Sequence, residues 1–236
     1  MSETIDVKEI SKFNAISSKY WEPEGPMRAL HQINPLRIDF VESFFPLQDA
    51  LVLDVGCGGG LASEALALRG ARVTAIDASQ DMIDVAKLHS KEANLSIEYK
   101  ISHANDFASG NSEMFDVITC FEMLEHVPNP RDTLAVLCTM IRPGGILVCS
   151  TINRTVTAYL GAIVAAEHIL NWVAKGTHDY SRFLKPSEIC AAIRPHQMIV
   201  ESIEGVVYQP LYQQFKRVTN NLSINYQLVA RKINDA

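Results

Sequence analysis

The 236 residues contain no block of like charge: 21 Lys and Arg lie scattered among 27 Asp and Glu, and the formal net charge is −6. A polyanionic partner selects a clustered basic face, so nucleic acid is not expected as a partner. The five cysteines (Cys57, Cys120, Cys138, Cys149 and Cys190) form no C-x-x-C pair and have no histidine at metal-finger spacing. An odd, dispersed set excludes a disulfide framework and a zinc ribbon, and fits buried thiols in a reducing compartment. No run reaches the roughly 20 apolar residues that a transmembrane helix needs, and "MSETIDVKEISKF" carries no apolar signal core. A cytoplasmic location is the expectation. Internal repeats, low-complexity tracts and Gly/Ser linkers are absent too. The chain therefore reads as one domain: residues 1–45 form a helical cap belonging to it, residues 46–236 the main body, with a helical insertion at about 154–182.

The body shows a strand–helix alternation. "LVLDVG" (51–56), "ARVTAID" (71–77), "LSIEYK" (95–100), "FDVITCF" (115–121) and "GILVCST" (145–151) are short apolar runs that predict buried strands. "LASEALALRG", "SQDMIDVAKLHSKEA" and "PRDTLAVLCTMIR" predict the helices between them. This order implies an α/β fold, a parallel sheet with helices on both faces. "MIVESIEGVVY" (198–208) and "SINYQLVARK" (223–232) follow without a helix between them and predict an antiparallel pair at the sheet's edge. Ahead of the sheet, Val7, Ile10, Phe13, Ile16 and Tyr20 recur at helical spacing. They predict a helix that either caps the sheet's carboxyl edge or simply packs on the domain.

"LDVGCGGG" follows a strand and opens a helix, the place where an open α/β sheet takes a nucleotide. Gly56, Gly58 and Gly60 allow close backbone approach. The dinucleotide fingerprint G-x-G-x-x-G fails, because Leu61 stands where its third glycine belongs. Asp54, at the strand end, would repel a pyrophosphate but suits a ligand carrying an ammonium or sulfonium charge. Asp77 ends the second strand, where a carboxylate accepts hydrogen bonds from both ribose hydroxyls; Asp77 or Ser79 also suits a helix cap. Ala104 and Asn105, after the third strand, are candidates for the adenine edge.

Glycine loop, ribose acid, "FDVITCFEMLEHV" and "IRPGG" occur in the order seen in the class I S-adenosylmethionine-dependent methyltransferases, and the chain resembles that family over most of residues 50–232. The resemblance implies a Rossmann-like, mostly parallel seven-stranded sheet with an antiparallel edge hairpin, and S-adenosyl-L-methionine as methyl donor. "HQINPLR" (31–37), "LDVGCGGG", "CFEMLEHVPNP" (120–130), "STINR" (150–154) and "KGTHD" (175–179) together look like the ubiquinone biosynthesis O-methyltransferases. Those enzymes methylate phenolic hydroxyls of polyprenylated ring precursors at two steps. The resemblance implies a polyprenylated phenol or catechol substrate, a pathway protein complex as partner, and cofactor contacts at Arg37, Gly56, Asp77 and Phe121. An Arg37 guanidinium fork suits the methionyl carboxylate. Phe121 stands where some relatives carry Met, and an aromatic ring also covers an adenine.

A phenol with a pKa near ~10 is mostly protonated at neutral pH and must be activated. Either a general base or a divalent cation acting as Lewis acid does this. Glu122, Glu125 and His126 cluster after the fourth strand; the resemblance implies that they bind Mg²⁺ or another divalent cation, although imidazole is not the ligand magnesium prefers. His126 is also a candidate for proton transfer, or simply a residue that orients the loop. His178, with Asp179 to orient it, is a second candidate. Three rivals carry less support: an N-methyltransferase, whose Asn/Asp-Pro-Pro-aromatic motif is missing; a nicotinamide dehydrogenase, whose fingerprint is broken; and a non-catalytic adenosylmethionine binder. Another small phenolic acceptor is the nearest alternative substrate.

"AYLGAIVAAEHILNWV" (158–173) is apolar apart from Tyr159, Glu167, His168 and Asn171. Glu167, His168, Asn171 and Lys175 share one helical face, and Lys175–Gly176 makes a helix stop. The composition alone fits a core helix. With a polyprenyl substrate, it predicts a cover over the tail with peripheral contact to lipid at the inner face of the cytoplasmic membrane.

Overall fold

The computed structural model describes residues 17–159 and 179–233. The candidate helix positions Val7–Ile16, the insertion from residue 160, Lys175, Gly176 and His178 lie outside the described residues.

Among the described residues eight strands form one sheet in the order β3-β2-β1-β4-β5-β8-β6-β7. The first five, β1 (Leu51–Val55), β2 (Arg72–Asp77), β3 (Glu98–Ile101), β4 (Phe115–Phe121) and β5 (Ile141–Ile152), pair in parallel. All seven residues of β4 are buried, which explains its unbroken apolar sequence: a parallel strand covered on both faces has no solvent side to mark. The sheet's two sides follow the strand period of two. Val52, Val117 and Val148 face a layer that includes Phe40, Val41, Leu66 and Ile83; Leu53, Ile118 and Leu147 face one that includes Leu134, Leu137 and Ile189.

Among the described residues the longer helices are α1 (Arg28–Glu42), α2 (Leu61–Leu68), α3 (Gln80–Glu92), α4 (Ala104–Ala108), α5 (Pro130–Met140) and α6 (Pro186–Ile193). Ser79 caps α3 by accepting from Met82 N at 3.1 Å. Asn129 caps α5, with Pro130 in its first turn, where the missing N–H costs nothing. Helix α1 carries Pro35 in its interior and was not visible in the sequence. Its apolar face (Ile33, Ile38, Phe40, Val41) is buried, and that tertiary burial overrides the proline.

The expected antiparallel pair is present as β6 (Met198–Gln209) and β8 (Asn225–Lys232). Strand β8 lies between β5 and β6 and is antiparallel to both. Beyond the seven strands expected there is an eighth, β7 (Gln214–Val218), paired antiparallel to β6 at the outer edge. The boundary expected at residue 45 falls in the connection between α1 and β1.

Candidate active site

The carboxyl ends of β1, β2, β4 and β5 bring the candidate residues to one edge of the sheet. Between β1 and α2, Gly56, Gly58 and Gly60 adopt φ of 72°, 52° and 91°, a region that L side chains avoid. Gly56 N and Cys57 N both donate to Ile76 O, at 2.9 and 3.1 Å, tying the loop to the end of β2. Asp77 completes that tie. One carboxylate oxygen accepts from Gly58 N and the other from Ser79 N, both at 2.8 Å. Burial pushes the Asp77 carboxyl above its ordinary range, against the pull of these backbone N–H groups and of the His103 charge. Asp77 thus braces the glycine loop while Ser79 caps α3, so the two roles considered for the helix start are divided between them.

Asp54 is 2% exposed. Its carboxylate accepts from Ser63 Oγ at 2.6 Å and from Thr119 Oγ1 at 2.7 Å, Thr119 being its direct neighbour across the sheet. Burial raises its pKa, opposed by those two hydroxyls. In this arrangement Asp54 is an internal brace. Ala104 is buried at the start of α4, and Asn105 beside it is exposed.

A second group of charges forms where β4 ends. Arg37, on α1, is 4% exposed; its Nη2 donates to Glu122 Oε1 at 2.6 Å, and its guanidinium lies 5.3 Å from the centroid of the Phe121 ring. The Ser150 hydroxyl, at the end of β5, donates to the same Glu122 oxygen at 2.8 Å, and Glu122 N donates to Ser150 O at 2.9 Å. Glu122 reaches these partners with φ of 48°, a left-handed conformation that costs a non-glycine residue about 1–2 kcal/mol. Buried Arg37 Nε has no hydrogen-bond partner. An orphaned buried donor is expensive, and this one is a ready partner for an incoming carboxylate.

Glu125 is 4% exposed. Oε2 accepts from Thr151 Oγ1 at 2.8 Å, whereas buried Oε1 has no partner. Burial first, then the neighbouring Glu122 charge, pushes its pKa up to about 7, against the pull of His126. Half-buried His126 ends the same short 3₁₀ turn, Leu124–His126. Glu122 is thus committed to Arg37 and Ser150, and Glu125 to Thr151. Among the described residues no three His, Cys, Asp or Glu side chains converge as a metal site. Glu122 Oε1 and Glu125 Oε2 are taken up by protein donors, so the three side chains do not stand as a ready-made cation site.

Reading the sequence had missed Ser63, Thr119, Ser150 and Thr151, the hydroxyls that fix Asp54, Glu122 and Glu125. All four lie in segments the sequence marks, Ser63 in "LASEALALRG", Thr119 in "FDVITCF", Ser150 and Thr151 in "STINR", but nothing there gives the hydroxyls a role. Asp179, the expected partner of His178, accepts from Ser181 N at 2.9 Å and begins the 3₁₀ turn Tyr180–Arg182.

A glycine loop braced by a strand-end acid, with a buried arginine facing the same edge, defines a class I S-adenosylmethionine-dependent methyltransferase. Residues 53–149 match the methyltransferase domain family model. The fold is similar to that of magnesium protoporphyrin IX methyltransferase from Synechocystis, solved with bound SAM, at a TM-score of 0.66, 17% identity, and 98% and 100% coverage of the two chains. A SAM-dependent methyltransferase from Aquifex aeolicus aligns at a TM-score of 0.63 and 17% identity, covering 92% and 98%. Within that class, the chain belongs to the ubiquinone biosynthesis O-methyltransferases. It is 42% identical over 229 residues to the member from Saccharophagus degradans, covering 97% of each chain. It is 45% identical over 224 residues to the member from Pseudomonas syringae pv. tomato, covering 95% and 96%.

Proposed function

We propose that this chain transfers a methyl group from S-adenosylmethionine to phenolic hydroxyls of polyprenylated catechol-type precursors, at both O-methylation steps of ubiquinone biosynthesis. The near-full-length identity to the relatives above supports the substrate class. The observation that carries the chemistry is the buried pair of unsatisfied groups at one sheet edge, the Arg37 Nε donor and the Glu125 Oε1 acceptor.

S-adenosylmethionine supplies an electrophilic methyl group on a sulfonium, open to in-line displacement. Arg37 would hold the methionyl carboxylate through Nε, and Glu122 keeps the guanidinium aimed while its own charge is neutralised. Asp77 would hold the ribose hydroxyls, Gly56 and Gly58 would admit the ligand against the backbone, and Phe121 would lie against the adenosine with Ala104 and Asn105 at its edge. The phenolic proton passes to Glu125 Oε1. A carboxyl with a pKa of about 7 is half deprotonated at neutral pH and is a far better base there than an exposed glutamate. His126, at the next position, stabilises the deprotonated form, and His178 enters the same reading as a second imidazole for the acceptor side. No step is assigned to a divalent cation, since Glu122 and Glu125 each give one oxygen to protein donors.

The apolar segment 158–173 covers the polyprenyl tail and touches lipid, a reading supported by its composition. Glu125→Gln tests the acid–base assignment with a short-chain polyprenyl catechol as acceptor. Turnover that survives within a factor of two would remove Glu125 from the chemistry.

A further inference from the structure

We propose that Trp21, His89 and Glu64 form a latch that holds the segment Tyr20–Met27 as a wall over the glycine loop, and so sets how long S-adenosylmethionine stays bound. The Trp21 indole lies flat on the His89 imidazole, with ring centroids 3.4 Å apart and planes 2° from parallel. His89 Nδ1 stands 2.9 Å from both oxygens of Glu64, whose side chain is only 6% exposed. With the proton on Nδ1, the imidazole is pinned from below by a carboxylate and covered from above by an indole. On its far side Trp21 donates Nε1–H to Gly59 O at 2.9 Å. The latch therefore joins four pieces of chain: the wall, the glycine loop, α2 through Glu64, and the last turn of α3 through His89.

What the latch holds down is Tyr20. This residue is 6% exposed and packs so closely on the loop that a Cβ added to Gly59 would overlap its ring, while one added to Gly58 would lie 2.9 Å from its hydroxyl. Burial first, then the nearby acidic groups including Asp77 and Asp54, pushes the phenol's pKa up and holds it in its neutral form. His31 Nε2, on α1, adds a bond to Tyr20 O at 3.0 Å. Met27, Met82, Trp21, Leu30, Leu61 and Val85 pack beneath and beside the tyrosine. A neutral aromatic wall sealed against the loop excludes water from a charged ligand, and a wall already in place spares the ligand the entropy of ordering it. Trp21, His89 and Glu64 are thus positioning residues; none needs to touch a reacting atom.

The inference rests on S-adenosylmethionine as ligand and not on the acceptor, so it stands or falls by binding. Calorimetry with S-adenosylmethionine, and a chase of bound radiolabelled ligand by excess unlabelled ligand, give Kd and the dissociation rate on the intact chain without turnover. His89→Ala is expected to raise Kd about tenfold, the loss of a stacked, charge-supported pair, with the change carried by faster dissociation. KM for the phenolic acceptor is expected to stay within twofold. His89→Phe, which keeps a flat partner for Trp21, is expected to recover most of the affinity. Trp21→Leu combined with His89→Ala is expected to weaken binding no more than either alone. If His89→Ala does not yield folded protein, Glu64→Gln decides by the same measurements, with an expected rise of about threefold. Unchanged Kd in folded variants, even with a lowered melting temperature, would reduce the contacts to packing and overturn the proposal. Tighter binding would overturn it as well, since Tyr20 would then be a plug. Absence of methyl transfer to a catechol beside normal binding would instead count against the substrate reading and leave the latch standing.

Discussion

Glu125 is costly to keep and chemically useful for the same reason. Held at 4% exposure with one oxygen unpartnered, it keeps its proton to about pH 7. Glu125→Gln is expected to lower kcat by at least ~100-fold, the usual range for a lost general base, with Kd for S-adenosylmethionine unchanged. The rate should rise with pH through about 7 in the wild type. Stability carries the opposite sign. A folded pKa raised above the ordinary 4.5 means that the folded state binds the extra proton, so stability falls as pH rises from about 4.5 to about 7. Melting temperatures at pH 5 and pH 8 should show the glutamine variant gaining on the wild type at the higher pH; a constant difference would contradict the burial argument. In the proposed mechanism Arg37 is the anchor for the methionyl carboxylate. Arg37→Lys keeps the charge but not the fork, and is expected to weaken S-adenosylmethionine binding by ~10-fold or more in calorimetry, because one ammonium cannot serve both Glu122 and a carboxylate in that geometry. Equal affinity would place the methionyl carboxylate elsewhere.

At the scale of elements, the glycine loop is the rigid part of the site. Gly60 has φ of 91°, and a Cβ there would lie 2.5 Å from the Tyr99 hydroxyl and 3.1 Å from Ala86 Cβ. Gly60→Ala is expected to cost about 1–2 kcal/mol or more from the backbone alone, or roughly 4 °C in melting temperature for a chain of this size, and to weaken cofactor binding with it. An alanine variant that melts like the wild type would mean that the turn is not strained.

The loop and five parallel strands were legible because their signals are local: glycines at a strand end, and apolar runs buried on both faces. Helix α1 was hidden by Pro35, which argues against a helix wherever tertiary packing does not override it. Strand β7 was hidden because "QFKRV" is partly exposed throughout and has no apolar run. The bracing of the site was hidden for a different reason. Thr119 meets Asp54 from 65 positions away, and Arg37 meets Glu122 from 85. Nothing in either segment marks the other. Trp21 and His89 are likewise far apart in the chain.

For the whole molecule, the question is how the site receives the proposed substrate, whose tail belongs in a bilayer. Among the described residues no helix is long and apolar enough to cross a membrane. The apolar segment 158–173 is the proposed contact with lipid. Liposome flotation of the wild type against an Ile163→Glu/Ile169→Glu variant is expected to show the wild type rising with lipid and the variant remaining behind; equal recovery would assign the segment to the interior. Above this stands the reaction itself. Methyl transfer from labelled S-adenosylmethionine to a short-chain polyprenyl catechol, run with and without a chelator, tests it most directly. Methylated phenol that depends on S-adenosylmethionine and persists in chelator is the expected result. No product under any condition, with added divalent cations included, would contradict the assignment, and product only with a cation would return Glu122, Glu125 and His126 to the role of metal ligands.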